Sequence, residues 1–154
     1  MSLKGAPGPR KNGEGADHMV LMEVSKIVID EKRHDQLIVL REKNGERVLP
    51  IVIGLAEVLA IRSKIKGTKS PRPLTHDLLF AAIAALKAKV ESVRIDKLED
   101  NIFFAKIALI AGDGSAVEVD ARPSDSIALA VRAKCPIMVD EEVIRQTGKV
   151  EPDK

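Results

Sequence analysis

From Val20 onward the spacing of apolar positions changes at short intervals, and each change marks an element. Val20 to Asp30 carries Val24, Ile27, Val28 and Ile29, a β-branched run that predicts a strand. Leu37–Arg41 and Arg47–Ile53 flank Lys43-Asn44-Gly45, and Asn-Gly between two such runs marks a hairpin. Gly54 ends the second strand. Leu55, Val58, Leu59, Ile61 and Ile65 then follow helical spacing, with Gly67 as the stop. A second helix is predicted from Thr75 to about Lys89, where Leu79, Ala82, Ile83, Leu86 and Val90 form one stripe that should face a core. Strands are expected at Val93–Ile95, Ile102–Ala111 and Ala116–Asp120, the last two joined by Gly112-Asp113-Gly114. In the last of these Val117 and Val119 should point inward, Glu118 and Asp120 outward. Ser124 to Lys134 is helical and apolar on nearly every side, so it should be well buried, with a subunit interface as one place for it. A strand at Pro136–Val139 and a helix at Glu141–Gln146 complete the pattern. Strands grouped around hairpins, with helices inserted between groups, define an α+β (mixed α/β) domain whose sheet is largely antiparallel or mixed.

The 154 residues suit one domain, placed at 19–146. Residues 1–18 are rich in Gly, Pro and charge and predict a flexible tail; Met19 opens the apolar pattern as a vector junction would leave it. Residues 147–154 should fray. No apolar run approaches the roughly 20 residues that cross a bilayer, and no signal-peptide core is present, so no membrane partner is expected. One cysteine, Cys135, cannot form an internal disulfide and fits a reducing cytoplasm. Its neighbours make it a small core residue rather than a nucleophile. The net charge of +2 is no basic footprint. Yet no acid stands between Glu57 and Asp77, while Arg62, Lys64, Lys66, Lys69 and Arg72 all do. That window reads either as a seat for a phosphate backbone or as a solvated helix end.

One short device occurs twice: Arg72-Pro73-Leu74-Thr75-His76-Asp77 and Arg122-Pro123-Ser124-Asp125. Proline forces the Arg before it into an extended conformation. Thr75 and Ser124 then suit N-caps, and the acids fall in the first turn, where the helix dipole favours them. The repetition suggests two related halves, each with an Arg and a carboxylate at a helix start.

These residues also carry a resemblance. Leu49-Pro50-Ile51-Val52-Ile53-Gly54, Ala56-Glu57, the first Arg-Pro motif through Leu79, and Asp120-Ala121-Arg122-Pro123-Ser124-Asp125-Ser126-Ile127-Ala128-Leu129-Ala130 closely resemble the bifunctional nuclease (BFN) domain family. The resemblance runs from about Met19 to Ile144. It implies a mixed α/β domain of duplicated character that commonly self-associates, so a homo-oligomer, with a dimer favoured, is expected. It also implies nuclease activity on DNA and RNA. The chain departs from the family pattern, which usually has Trp at Val52, Pro at Leu55 and Tyr near Phe104 and Met138. With no Trp or Tyr, stacking of bases on those rings is lost.

Phosphodiester hydrolysis needs an activated nucleophile, charge stabilisation at the phosphoryl oxygens and a proton for the leaving oxygen. Arg72 and Arg122, with Lys69, suit a clamp on phosphate. His76 suits general acid–base work. Asp77 and Asp125 suit orienting that imidazole or, with Glu57, holding Mg²⁺. Each group also has a plainer reading. Thr75 and Ser124 need only cap. Asp77 and Asp125 pair with Arg122 and Arg72 across the halves. His76 is a half-buried hydrogen-bonding residue, Glu57 lies on the surface, and His34 is solvated. No catalytic triad, Cys/His metal cluster or phosphate-binding glycine loop is present. Two functions therefore stand: a metal-assisted or His76-assisted nuclease acting on nucleic acid, and a non-catalytic oligomeric module holding an anionic ligand at paired helix N-termini. A third is that the Arg/Asp pairs only lock a dimer.

Overall fold

The computed structural model of the protein describes residues 3–5, 18–30, 32, 35–147 and 149–150. His34 lies outside them. A short strand β1 (Leu3–Gly5) precedes an antiparallel meander of β2 (Met19–Val28), β3 (Gln36–Glu42) and β4 (Arg47–Ile53). Helix α1 (Leu55–Ile65) follows at once, then α2 (Thr75–Ala85). A second meander, β5 (Lys89–Glu99), β6 (Ile102–Ile110) and β7 (Ala116–Ala121), leads directly into α3 (Pro123–Ala133). Strand β8 (Ile137–Asp140), helix α4 (Glu141–Thr147) and strand β9 (Lys149–Val150) close the chain.

Among the described residues the strands form one open sheet in the order β1-β7-β6-β5-β8-β2-β3-β4-β9. Seven strands make its body, and β1 and β9 extend its two edges. Every pairing is antiparallel except β5 with β8, so the sheet is mixed within an α+β fold. Register follows burial: Leu40 lies opposite Leu49 and Ile38 opposite Ile51, while Val93 and Ile95 face Ile137 and Val139. These side chains join Val58 and Ile61 of α1, Ile127 and Leu129 of α3, and Val143 and Ile144 of α4 in one core. At about 0.8 kcal/mol per buried methylene, that cluster is the main force closing the two halves on each other.

Leu3–Gly5 pair with Val117–Val119, and Lys149–Val150 pair with Arg47 and Val48. An open sheet edge accepts any extended backbone whatever its side chains. Several expectations are corrected. Helix α2 stops at Ala85: Lys87 turns to φ 63°, and Val90 belongs to the ladder with Leu109, not to the helical stripe. No residue of α2 is fully buried; only Phe80 and Ile83 lean on the core. Helix α3 is the buried one, but against this chain's own α1, α2 and sheet. Neither Thr75 nor Ser124 is an N-cap. Pro123 takes the first helical position, as its fixed φ favours, so Arg122 becomes the N-cap and Ser124 is buried in the first turn. In α2 the N-cap is Leu74, whose N–H is taken by the Asp77 carboxylate at 3.0 Å. Glu118 points not to open solvent but to the buried Arg94, with which it pairs. Cys135 packs half-buried against the core, and burial pushes its thiol pKa up.

The repeat is real at the level of elements, but its equivalences differ from those the Arg-Pro motifs suggest. Meander plus helix recurs, so α3 corresponds to α1 rather than to α2.

Candidate active site

Three helix starts meet at one point. Asp125, third residue of α3, places its Oδ1 2.9 Å from His76 Nε2 on α2. Its Oδ2 accepts from Arg122 Nε at 3.0 Å, and the same guanidinium donates through Nη2 to Glu57 Oε1, third residue of α1, at 3.2 Å. The result is a chain of contacts: His76, Asp125, Arg122, Glu57. Burial pushes the Asp125 carboxyl up, but the hydrogen bonds from His76 and Arg122 outweigh it and hold the group below its ordinary value. Asp125 and then Glu57 hold the Arg122 guanidinium above its own. The His76 side chain is 13% exposed, whereas that of Arg122 is 67% exposed, leaving donors for a ligand. His76 Nδ1 makes no hydrogen bond to any described residue.

Gly54 makes the Glu57 contact feasible. It is the N-cap of α1, and a Cβ there would stand 2.5 Å from Glu57 Oε2. The missing side chain lets the carboxylate fold back over the helix start.

Asp77 does not join this cluster, and the expected pairing of Asp77 with Arg122 and of Asp125 with Arg72 is not found. Asp77 Oδ1 instead accepts from Arg132 Nε at 2.7 Å. Arg132, with its side chain 3% exposed, also donates to the carbonyls of Ala128 at 2.8 Å and Ala60 at 3.3 Å. It thereby ties α1, α2 and α3 together, and chiefly its bond holds the Asp77 carboxyl below the ordinary range. This residue was missed from sequence. Its signal was there: a lone cation inside an otherwise apolar buried helix must have a partner.

Beside His76 lies an open groove of about 690 Å³ between α1 and the loop before α2, whose walls include Ala56, Leu59, Arg62, Lys66, Leu74 and His76. Arg72 is exposed and contributes nothing to its wall. Lys69 lies with Lys64, Asp77 and Arg132 in a separate hollow of about 230 Å³. Among the described residues no three His, Cys, Asp or Glu side chains gather closely enough to hold a metal ion. A resident divalent cation does not fit the donors as they stand: Arg122 already bridges the carboxylates of Glu57 and Asp125, and Asp77 faces Arg132. Among the described residues no helix is long and apolar enough to cross a membrane.

Fold and site together define a duplicated meander-and-helix α+β domain with an imidazole–carboxylate–guanidinium cluster at its helix starts. Residues 38–152 match the bifunctional nuclease domain, and the chain belongs to that family. It is 41% identical over 133 residues to an uncharacterized protein of Mycobacterium tuberculosis, covering 86% of this chain and 79% of that one. It is 32% identical over 129 residues to Bifunctional nuclease 2 of Oryza sativa subsp. japonica, and 25% identical over 121 residues to Bifunctional nuclease 1 of Arabidopsis thaliana. These matches take in 80% and 77% of this chain but only 40% and 37% of the two plant proteins.

Proposed function

We propose that this chain hydrolyses phosphodiester bonds in nucleic acid, with His76 as the catalytic base. The observation that carries the reading is the 2.9 Å contact between His76 Nε2 and Asp125 at the mouth of the groove. A carboxylate accepting from Nε2–H fixes the tautomer that leaves a lone pair on Nδ1, and stabilises the imidazolium that forms when Nδ1 takes a proton. Nδ1 then deprotonates the attacking water. The water oxygen bonds to phosphorus, the bond to the leaving oxygen breaks, and that oxygen is protonated from solvent. Exposed donors of Arg122 face the phosphoryl oxygens. Arg62 and Lys66 meet neighbouring phosphates along the strand, while Leu59 and Leu74 offer apolar ground to bases in place of aromatic rings. No step passes through a metal.

The alternative, a module that holds an anion at the helix N-termini without cleaving it, has less support. Asp77 and Asp125 already sit at the starts of α2 and α3, where an anionic ligand would have to displace them.

The test is cleavage of single- and double-stranded DNA and RNA by purified chain, with Mg²⁺ and with chelator. His76→Ala should lose about 10²–10⁴-fold in rate, the usual worth of general acid–base catalysis. Asp125→Asn should lose activity as well. Cleavage that survives both substitutions is not this protein's and overturns the reading. Binding without cleavage by the unaltered chain favours the alternative.

A further inference from the structure

We propose that the groove beside His76 continues past α1 into a second subsite, against β2, which seats further nucleotides of a single nucleic-acid strand. The inference rests on the proposed function and adds to it where the strand runs and why it is single. Between the C-terminal turn of α1 and β2 lies a hollow of about 440 Å³. Arg62 and Lys66 line both this hollow and the groove that holds His76, so one surface leads from the imidazole to β2. Among the described residues no Asp or Glu lines either one.

The two shared cations lack the partners that others in this chain have. Arg47, Arg94, Arg122, Arg132 and Arg145 each pair with a carboxylate, whereas neither Arg62 nor Lys66 forms an ion pair with a described residue. Both are exposed. A row of phosphates meets them and continues to Lys26 on the far wall. The rest of the hollow is mostly apolar, and β2 is shaped to make it so. Val24 and Ile27 pair with Leu40 and Ile38 of the core. Three residues apart in a regular strand, they would face opposite sides of the sheet. A bulge at Ser25 adds one residue to β2 and turns both toward the helix side. Ile29 and Ile65, the latter 53% exposed, complete the apolar wall. Cations and aliphatic side chains in one hollow suit a strand whose bases are unstacked and turned to the protein. In a duplex those base faces are stacked away inside, and only phosphates would reach the wall.

Length dependence tests it. Single strands of about 4 and about 12 nucleotides lie within the range that one binding domain covers. Cleavage of the longer should show a KM about tenfold lower, since only that strand reaches from His76 to β2. Ile65→Glu places an acid on the apolar wall, and Lys26→Ala removes a cation. Both positions are exposed, so the urea midpoint should move little. Each variant should erase most of the longer strand's advantage, through KM and not kcat. For that strand Lys26→Ala should also lower the slope of log affinity against log salt by about 0.7. A KM that ignores length, an Ile65→Glu loss as large with the short strand as with the long, or a duplex bound as tightly as a single strand overturns the subsite. The proposed function fails separately, by absence of cleavage; fluorescence anisotropy with the same strands and variants then decides the subsite from binding alone.

Discussion

Replacing Arg132 by Met keeps most of the side chain's bulk while deleting the guanidinium that joins three helices, and the size of the loss can be worked out beforehand. The bond to Asp77 at 2.7 Å is charge-assisted, a class worth about 1.5–3 kcal/mol. The carbonyls of Ala128 and Ala60 lie within α3 and α1, where backbone N–H groups four residues on also serve them, so their loss adds little. Asp77 keeps the Leu74 N–H, and its side chain is 38% exposed, so water recovers part of what Arg132 supplied. The expected cost is therefore about 2 kcal/mol, below the 3–5 kcal/mol typical when a fully buried ion loses its partner. Urea unfolding should show a lower midpoint with an unchanged slope. A cycle with Asp77→Asn should return a coupling of about 1–2 kcal/mol. The pH dependence has a definite sign. Arg132, and then the Leu74 amide, hold the Asp77 carboxyl below its ordinary value, so its contribution is complete above that value and fades as pH falls through the folded one. The gap between the unaltered chain and Arg132→Met should accordingly narrow below pH of about 4. A gap under about 0.5 kcal/mol, or one that does not change with acid, refutes the account.

Smaller changes probe the neighbouring contacts. Gly54→Ala should push Glu57 off Arg122 while altering stability by no more than about 1 kcal/mol, because the atom in the way ends a flexible side chain. Glu57→Gln should then have no further effect on urea stability in the Gly54→Ala background; a full additive effect says that Glu57 never left. Arg62→Ala and Lys66→Ala should each weaken binding of a single strand and reduce the slope of log affinity against log salt by about 0.7. Titrations at several salt concentrations measure this, and an unchanged slope takes the groove out of the binding path.

The parts of the fold that were legible are those decided by local chemistry. The Asn-Gly hairpin and the Gly67 stop of α1 each appear within a residue or two of their expected places. The errors arose where a distant partner decides. Val90 fits a helical stripe by spacing, yet ladder bonds to β6 claim it for a strand. The stripe on α2 is amphipathic in pattern, but pattern cannot say whether the apolar side meets this chain or another surface. At the site, Glu57, His76, Arg122 and Asp125 could each be singled out by residue type and motif. Asp125 beside His76 was among the pairings the motifs suggested, but the bridge from Arg122 to Glu57 was not, since those two stand 65 residues apart in sequence. For Arg132 the apolar helix around it signalled a partner but not which one; only the packed structure brings Asp77 and the Ala60 carbonyl to it.

The site's one-sidedness follows from how the duplicated halves differ. The N-caps of α1 and α3 have nearly the same backbone, Gly54 at φ −76°, ψ 162° and Arg122 at φ −75°, ψ 148°, and an acid stands three residues beyond each. Strict repetition would therefore bring two helix starts together, each bearing a carboxylate and neither carrying a cation. The second half supplies that cation by putting Arg at the N-cap where the first has Gly, and the glycine in turn leaves room for Glu57 to reach it. Helix α2 then breaks the symmetry further, since it enters between the halves once and gives its imidazole only to Asp125. Glu57 is left with the guanidinium alone. A pseudo-symmetric scaffold thus yields one imidazole–carboxylate pair at its helix starts. The two acids, alike in position, differ in surroundings because only Asp125 lies within reach of an imidazole.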